Sequence, residues 1–155
     1  MSKKKLIDEI KIEFANLERL LGEMNELLGR ISDKPNFIEI RGAASIIHDF
    51  YSGIEKIFER IAINIDNHLP KGENWHIELL SQMKKPFTGK RAPIISEELF
   101  KKLKKYLDFR HLFRHIYGFE LDWERFKDLC LNLENILKEI KIEIERFLKE
   151  FKENV

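Results

Sequence analysis

Apolar residues recur every three or four positions along almost the whole of this chain, a repeat that favours helices over any other regular structure. From about residue 4 to residue 29 the repeat runs through Ile7, Ile10, Phe14, Leu17, Leu21, Met24 and Leu28. Pro35 then interrupts it, because proline cannot propagate a helix and disfavours helical backbone before it. Asn36, with Glu39 three residues on, reads as a capping-box start for a second helix reaching about Asp66. Gly42 and Gly53 weaken that helix locally or permit close packing against it. A polar loop follows, then a short helix over WHIELLSQM, then a basic linker over residues 84–93 carrying Pro86, Gly89 and Pro93. Ser96, followed by Glu97 and Glu98, starts a fourth helix that Gly118 is placed to end. Asp122 caps a fifth that continues nearly to the C-terminus. No alternation of period two persists long enough to compete. The pattern predicts an all-α antiparallel bundle of about five helices, with the 155 residues forming one domain.

Charge is the second constraint. The net charge is only +1, yet residues 84–114 hold ten lysines and arginines against three acids, a surplus of seven. The remainder therefore carries −6, and the concentrated positive charge favours a polyanionic partner. Cys130 is the sole cysteine, which excludes an intrachain disulfide and a multi-cysteine metal site. No apolar run approaches the roughly 20 residues needed to cross a bilayer, and the N-terminus has no leader pattern. The expectation is a soluble cytoplasmic protein without membrane contact.

The densest chemistry lies in residues 106–118, YLDFRHLFRHIYG. On a helical wheel with Arg110 at zero, Arg114 falls near about 40° and Tyr117 near about 340°. His111, His115 and Asp108 fall near about 100°, 140° and 160°, while Phe109, Leu112, Phe113 and Ile116 fill the opposite arc. Arginine offers fixed charge and a donor fork for phosphate, and histidine exchanges a proton near neutral pH. That combination suits RNA cleavage, and it equally suits a salt-bridged surface. His111 and His115 have the i,i+4 spacing of a zinc site. The intervening Leu-Phe-Arg supplies no general-base glutamate, and Arg114 repels a cation, so no metal is expected.

Arg110, His115 and Tyr117 together match R-x-x-x-x-H-x-Y, the signature of HEPN domains in the form carried by HepT-like ribonuclease toxins. RGAASIIHDFYSGIEKIFERIA (residues 41–62), WHIELL (75–80) and FRHLFRHIYGFELDWERF (109–126) resemble one HepT-like subgroup, and the similarity covers about residues 37–137. The resemblance implies a metal-independent, cofactor-free endoribonuclease toxin acting as a homodimer, with two copies of the fourth helix meeting across an RNA-binding cleft. It implies that Arg110 holds the scissile phosphate and that His115 is general acid/base for attack by the ribose 2′-hydroxyl. It further implies that a nucleotidyltransferase antitoxin silences the toxin by adenylylating Tyr117. Many relatives carry Asn where this chain has His111, which becomes either a second proton-transfer group or a positioning residue. Arg114 is either an RNA contact or an intersubunit ion pair. Lys105 and Asp108 are supporting or RNA-binding candidates, Asp108 having a solvated carboxylate as its plainer role. Tyr51, Glu55 and Phe58 read as core and interface, His76 as a packing or capping residue, and the basic linker as solvated chain or RNA contact. Two alternatives stand beside the nuclease: a non-catalytic HEPN subunit that binds a nucleotidyltransferase, and a helical module that binds nucleic acid without chemistry.

Overall fold

The computed structural model describes residues 2–153. Among them are six α-helices and no strand: α1 (Lys3–Arg30), α2 (Phe37–Ile61), α3 (Trp75–Met83), α4 (Glu97–Phe113), α5 (Trp123–Leu131) and α6 (Leu133–Glu153). The expected starts are found. Asn36 Oδ1 accepts from the Glu39 amide at 2.8 Å while Glu39 accepts from the Asn36 amide at 2.9 Å, closing the capping box. Ser96 and Asp122 cap α4 and α5 through the amides of Leu99 and Glu124. A cap of this kind contributes on the order of 1 kcal/mol.

Helix α2 is the hub, packed against α1, α3, α4 and α5. Its Ile47, Phe50, Ile54, Phe58 and Ile61 are fully enclosed, each stabilising the fold by roughly 1.5–3 kcal/mol through burial. Helix α1 lies along it, with Ile10, Leu17 and Met24 inward. At Gly53 the approach is close, since a Cβ there would lie 2.8 Å from Leu17 Cδ2. The glycine that costs α2 helix propensity is thus the one that lets α1 pack near its backbone.

After Ile61 the helix widens into one π turn, Ala62–Asp66, and Asn67 closes it in the left-handed conformation at φ 55°. This turn carries Asp66 into the interior, where Arg91 meets it through Nε–Oδ1 and Nη2–Oδ2 hydrogen bonds of 2.7 Å each. The remaining guanidinium hydrogens go to the carbonyls of Gln82, Lys85 and Ala92, and both charged side chains are essentially without solvent exposure. The basic linker is therefore pinned in place by its arginine, contrary to its reading as solvated chain or RNA contact at that residue.

Two expected helices differ in extent. The fifth is divided at Asn132, where the side-chain amide and the backbone amide both donate to the Asp128 carbonyl. The fourth stops at Phe113 instead of running to Gly118. His115 Nδ1 lies 2.7 Å from the His111 carbonyl, the acceptor that a continued helix would offer the His115 amide. That amide turns to the Leu112 carbonyl instead, and by Tyr117 the backbone is extended, leading into a 3-10 turn at Gly118–Glu120.

Candidate active site

The early end of α4 dissolves the helical wheel for its last members. Arg110 and His111 project from regular helix, Arg114 sits at the cap, and His115 and Tyr117 come from the chain beyond it. The structure nevertheless brings most of them together. A groove of about 760 Å³ is lined by Lys104, Asp108, Arg110, His111, Arg114 and His115 from this segment, and by Glu73, Asn74, His76 and Ile77 from the start of α3. Lys105 does not join them; it faces two other grooves between α4 and the α5–α6 pair. Asp108 is engaged by Lys104 at 3.0 Å, one turn away on the same exposed face.

Arg110 is held from behind by α2. Its Nε donates to Ser52 Oγ at 3.0 Å, and Nη1 stands 3.5 Å from Glu55 Oε1. Glu55 is a carboxylate only 4% exposed within an apolar helix face, and such a group needs a cationic or donor partner. It has two, for its other oxygen lies 2.7 Å from His76 Nδ1. A carboxylate can only accept, so Nδ1 carries the proton there. The 3.2 Å approach of Arg110 Nη1 to the same nitrogen is then two donors gathered by one acceptor. Trp75 covers the face of the His76 ring at a centroid distance of 3.7 Å.

The outer half of the site is more open. His115 and His111 stack obliquely at 4.4 Å, and both are exposed. Because the His111 carbonyl can only accept, His115 holds its proton on Nδ1 and presents Nε2 as the basic nitrogen of its neutral ring. Among the described residues Arg110 Nη2 has no protein acceptor, so its donors remain for an incoming anion. Tyr117 is 70% exposed and stacks flat on Phe119 at 5.2 Å. Arg41 from α2 packs over Gly118, where a Cβ would lie 2.5 Å from its Nε.

Against the family models the chain matches one described as a HepT-like protein, over residues 42–151. It belongs to the HepT-like family. No curated protein and no solved structure matches it. The family match spans every element that builds the groove and starts after α1.

Sequence reasoning missed Ser52, Glu55 and His76. Glu55 did leave a signal: it is the acid set among Tyr51, Ile54 and Phe58 on a helix whose other inward residues are apolar or small. Tyr51, read as core, is fully buried, and its hydroxyl has no hydrogen-bond partner among the described residues. Burial pushes that hydroxyl far above the usual tyrosine range, and the charge of Glu55 adds to the effect. The positive surplus of residues 84–114 is also partly spent, since Arg91 and Lys102 pair with Asp66 and Glu139 from outside that stretch.

Proposed function

We propose that this HepT-like protein is a metal-independent endoribonuclease toxin that cleaves RNA at the Arg110 groove. The observation that carries the proposal is an arginine with unspent donors beside an imidazole of fixed tautomer, in a chain bearing the family's R-x-x-x-x-H-x-Y residues. Arg110 holds the scissile phosphate and the charge that builds on it in the transition state. His115 serves as general acid/base through Nε2 while the 2′-hydroxyl attacks phosphorus. His111 and Arg114 extend the cationic rim, with Asp108 beside them. Lys105 lies outside the groove and serves RNA through long-range attraction alone. No step calls for a metal or cofactor.

The active form is a homodimer in which the α4 segments of two copies face each other. Each of the 155-residue chains forms one domain. Exposed Leu112, Tyr117 and Phe119 near the end of α4 support that arrangement. A nucleotidyltransferase antitoxin adenylylates Tyr117, whose exposed hydroxyl is reachable. The added bulk and negative charge close the groove to RNA by sterics and repulsion.

Cleavage of structured RNA in EDTA, with His115→Ala beside wild type, tests the reading. Wild type cuts and leaves a cyclic phosphate, and the variant does not. Absence of cleavage by an unmodified, dimeric wild type rejects the nuclease and leaves the non-catalytic partner of a nucleotidyltransferase. Salt-sensitive RNA binding that ignores His115→Ala favours the bare binding module instead.

A further inference from the structure

Cleavage by 2′-hydroxyl attack needs two proton transfers. A base removes the proton from O2′ as that oxygen bonds to phosphorus. An acid then protonates O5′ as the P–O5′ bond breaks, leaving a 2′,3′-cyclic phosphate and a free 5′-hydroxyl. The signature supplies one histidine per chain for both tasks. The groove contains another that arrives from a different helix.

His76 opens α3 and lines the same groove as Arg110 and His115. Three features separate it from an ordinary surface histidine. Its Nδ1 is 2.7 Å from the Oε2 of a carboxylate 4% exposed, a pairing that fixes the tautomer and leaves Nε2 as the basic nitrogen. Its ring is held against Trp75, so its direction is set. Its neighbour is the phosphate-binding candidate itself, Arg110, 3.2 Å away and sharing the same glutamate. A buried carboxylate behind an imidazole is the arrangement that orients a general base and stabilises the cation formed when it takes a proton. Glu55 thus ties the base and the phosphate clamp into one unit.

Resting on the ribonuclease reading above, we propose that His76 is a catalytic residue of this site. Its Nε2 takes the 2′-hydroxyl proton, while His115, entering the cycle as the imidazolium with a second proton on Nε2, gives that proton to the leaving 5′-oxygen and returns to its neutral Nδ1–H form. Glu55 is the positioning residue for both His76 and Arg110. The division lets one chain provide acid and base from separate elements, α3 and the turn after α4, as attack and departure on opposite sides of phosphorus require. The charged groups bearing on His76 are Glu55 and Glu59 from α2 and Arg110 from α4.

The test uses the full-length protein and two forms of one structured RNA, one normal and one whose 5′-leaving oxygen at the cut position is replaced by sulfur. A thiolate departs without an acid, so the second substrate relieves the loss of a general acid and leaves the loss of a base uncorrected. On normal RNA, His76→Ala and His115→Ala each slow cleavage by roughly 10²- to 10⁴-fold. On the sulfur substrate His115→Ala recovers and His76→Ala does not. The rate of His76→Ala also loses the rise with pH that wild type shows on its acid side. Glu55→Gln keeps an acceptor for Nδ1 but removes the charge; it folds, slows cleavage and displaces that same rise. It carries the test if His76→Ala does not fold. Wild-type rates from folded His76→Ala, or from Glu55→Gln, overturn the assignment while the nuclease reading stands. Recovery of His76→Ala on the sulfur substrate overturns its role as base. A wild type that cuts neither substrate rejects the nuclease reading, and this assignment falls with it.

Discussion

Arg91 and Arg110 each meet a buried carboxylate, and they are used in opposite ways. Arg91 gives all of its guanidinium hydrogens to acceptors inside the fold, namely both oxygens of Asp66 and three backbone carbonyls. Arg110 gives Nε to Ser52, leans on Glu55 at 3.5 Å, and keeps Nη2 unspent beside a groove. The first pair is closed and has nothing left for a ligand. The second is held through Nε and Nη1 and, among the described residues, leaves Nη2 without an acceptor. Sequence charge cannot separate them, since each is one arginine in the same basic stretch, residues 84–114. The acceptors gathered around each one make the difference.

The largest way to break the contrast is Arg91→Ala. It strands Asp66 without its cation in the interior and should lower unfolding stability by about 3–5 kcal/mol in urea titration. Arg110→Lys should do the reverse. It keeps the charge and loses the fork, which on the proposed ribonuclease reading cuts cleavage of RNA by roughly 10²- to 10³-fold while urea stability changes little. A comparable loss of stability in both variants would erase the distinction between them.

Smaller changes sharpen the comparison. The site side of α2 leaves the Tyr51 hydroxyl without a partner, whereas the atoms of the Arg91 pair are all bonded. Tyr51→Phe should therefore be neutral or stabilising by up to about 1 kcal/mol. It should also change the alkaline limb. The folded protein keeps the Tyr51 proton above about pH 10, where the unfolded chain releases its own. The folded state then binds more protons, and stability falls with rising pH by about 1.4 kcal/mol per unit for this one group. Removing the hydroxyl makes that slope shallower, as thermal melts between pH 9 and pH 11 can measure. At the small end, Lys104→Ala breaks an exposed i,i+4 pair with Asp108 and should cost less than about 0.5 kcal/mol.

How much of this was legible beforehand differs along the chain. Helices α1 and α2 follow from apolar period and capping residues, because their signals are local: the Asn36–Glu39 box needs only four residues to state itself. The end of α4 was not legible, since it depends on a histidine ring reaching the carbonyl one turn back, and a helical wheel assumes that carbonyl is already taken. Arg110 and His115 were singled out by the signature, and the structure sets both on one groove. Ser52, Glu55 and His76 sit 58, 55 and 34 positions before Arg110 and become its neighbours only once α2, α3 and α4 pack.

Helix α1 precedes the stretch shared with the family, yet its Leu17 bears on α2 at Gly53, the residue after Ser52 and two before Glu55. The segment that cradles Arg110 is thereby braced from outside the shared module. Position 17 is consequently remote from the groove yet bears on the helix that holds Arg110, so a change in its bulk acts on that helix without altering any residue that lines the groove.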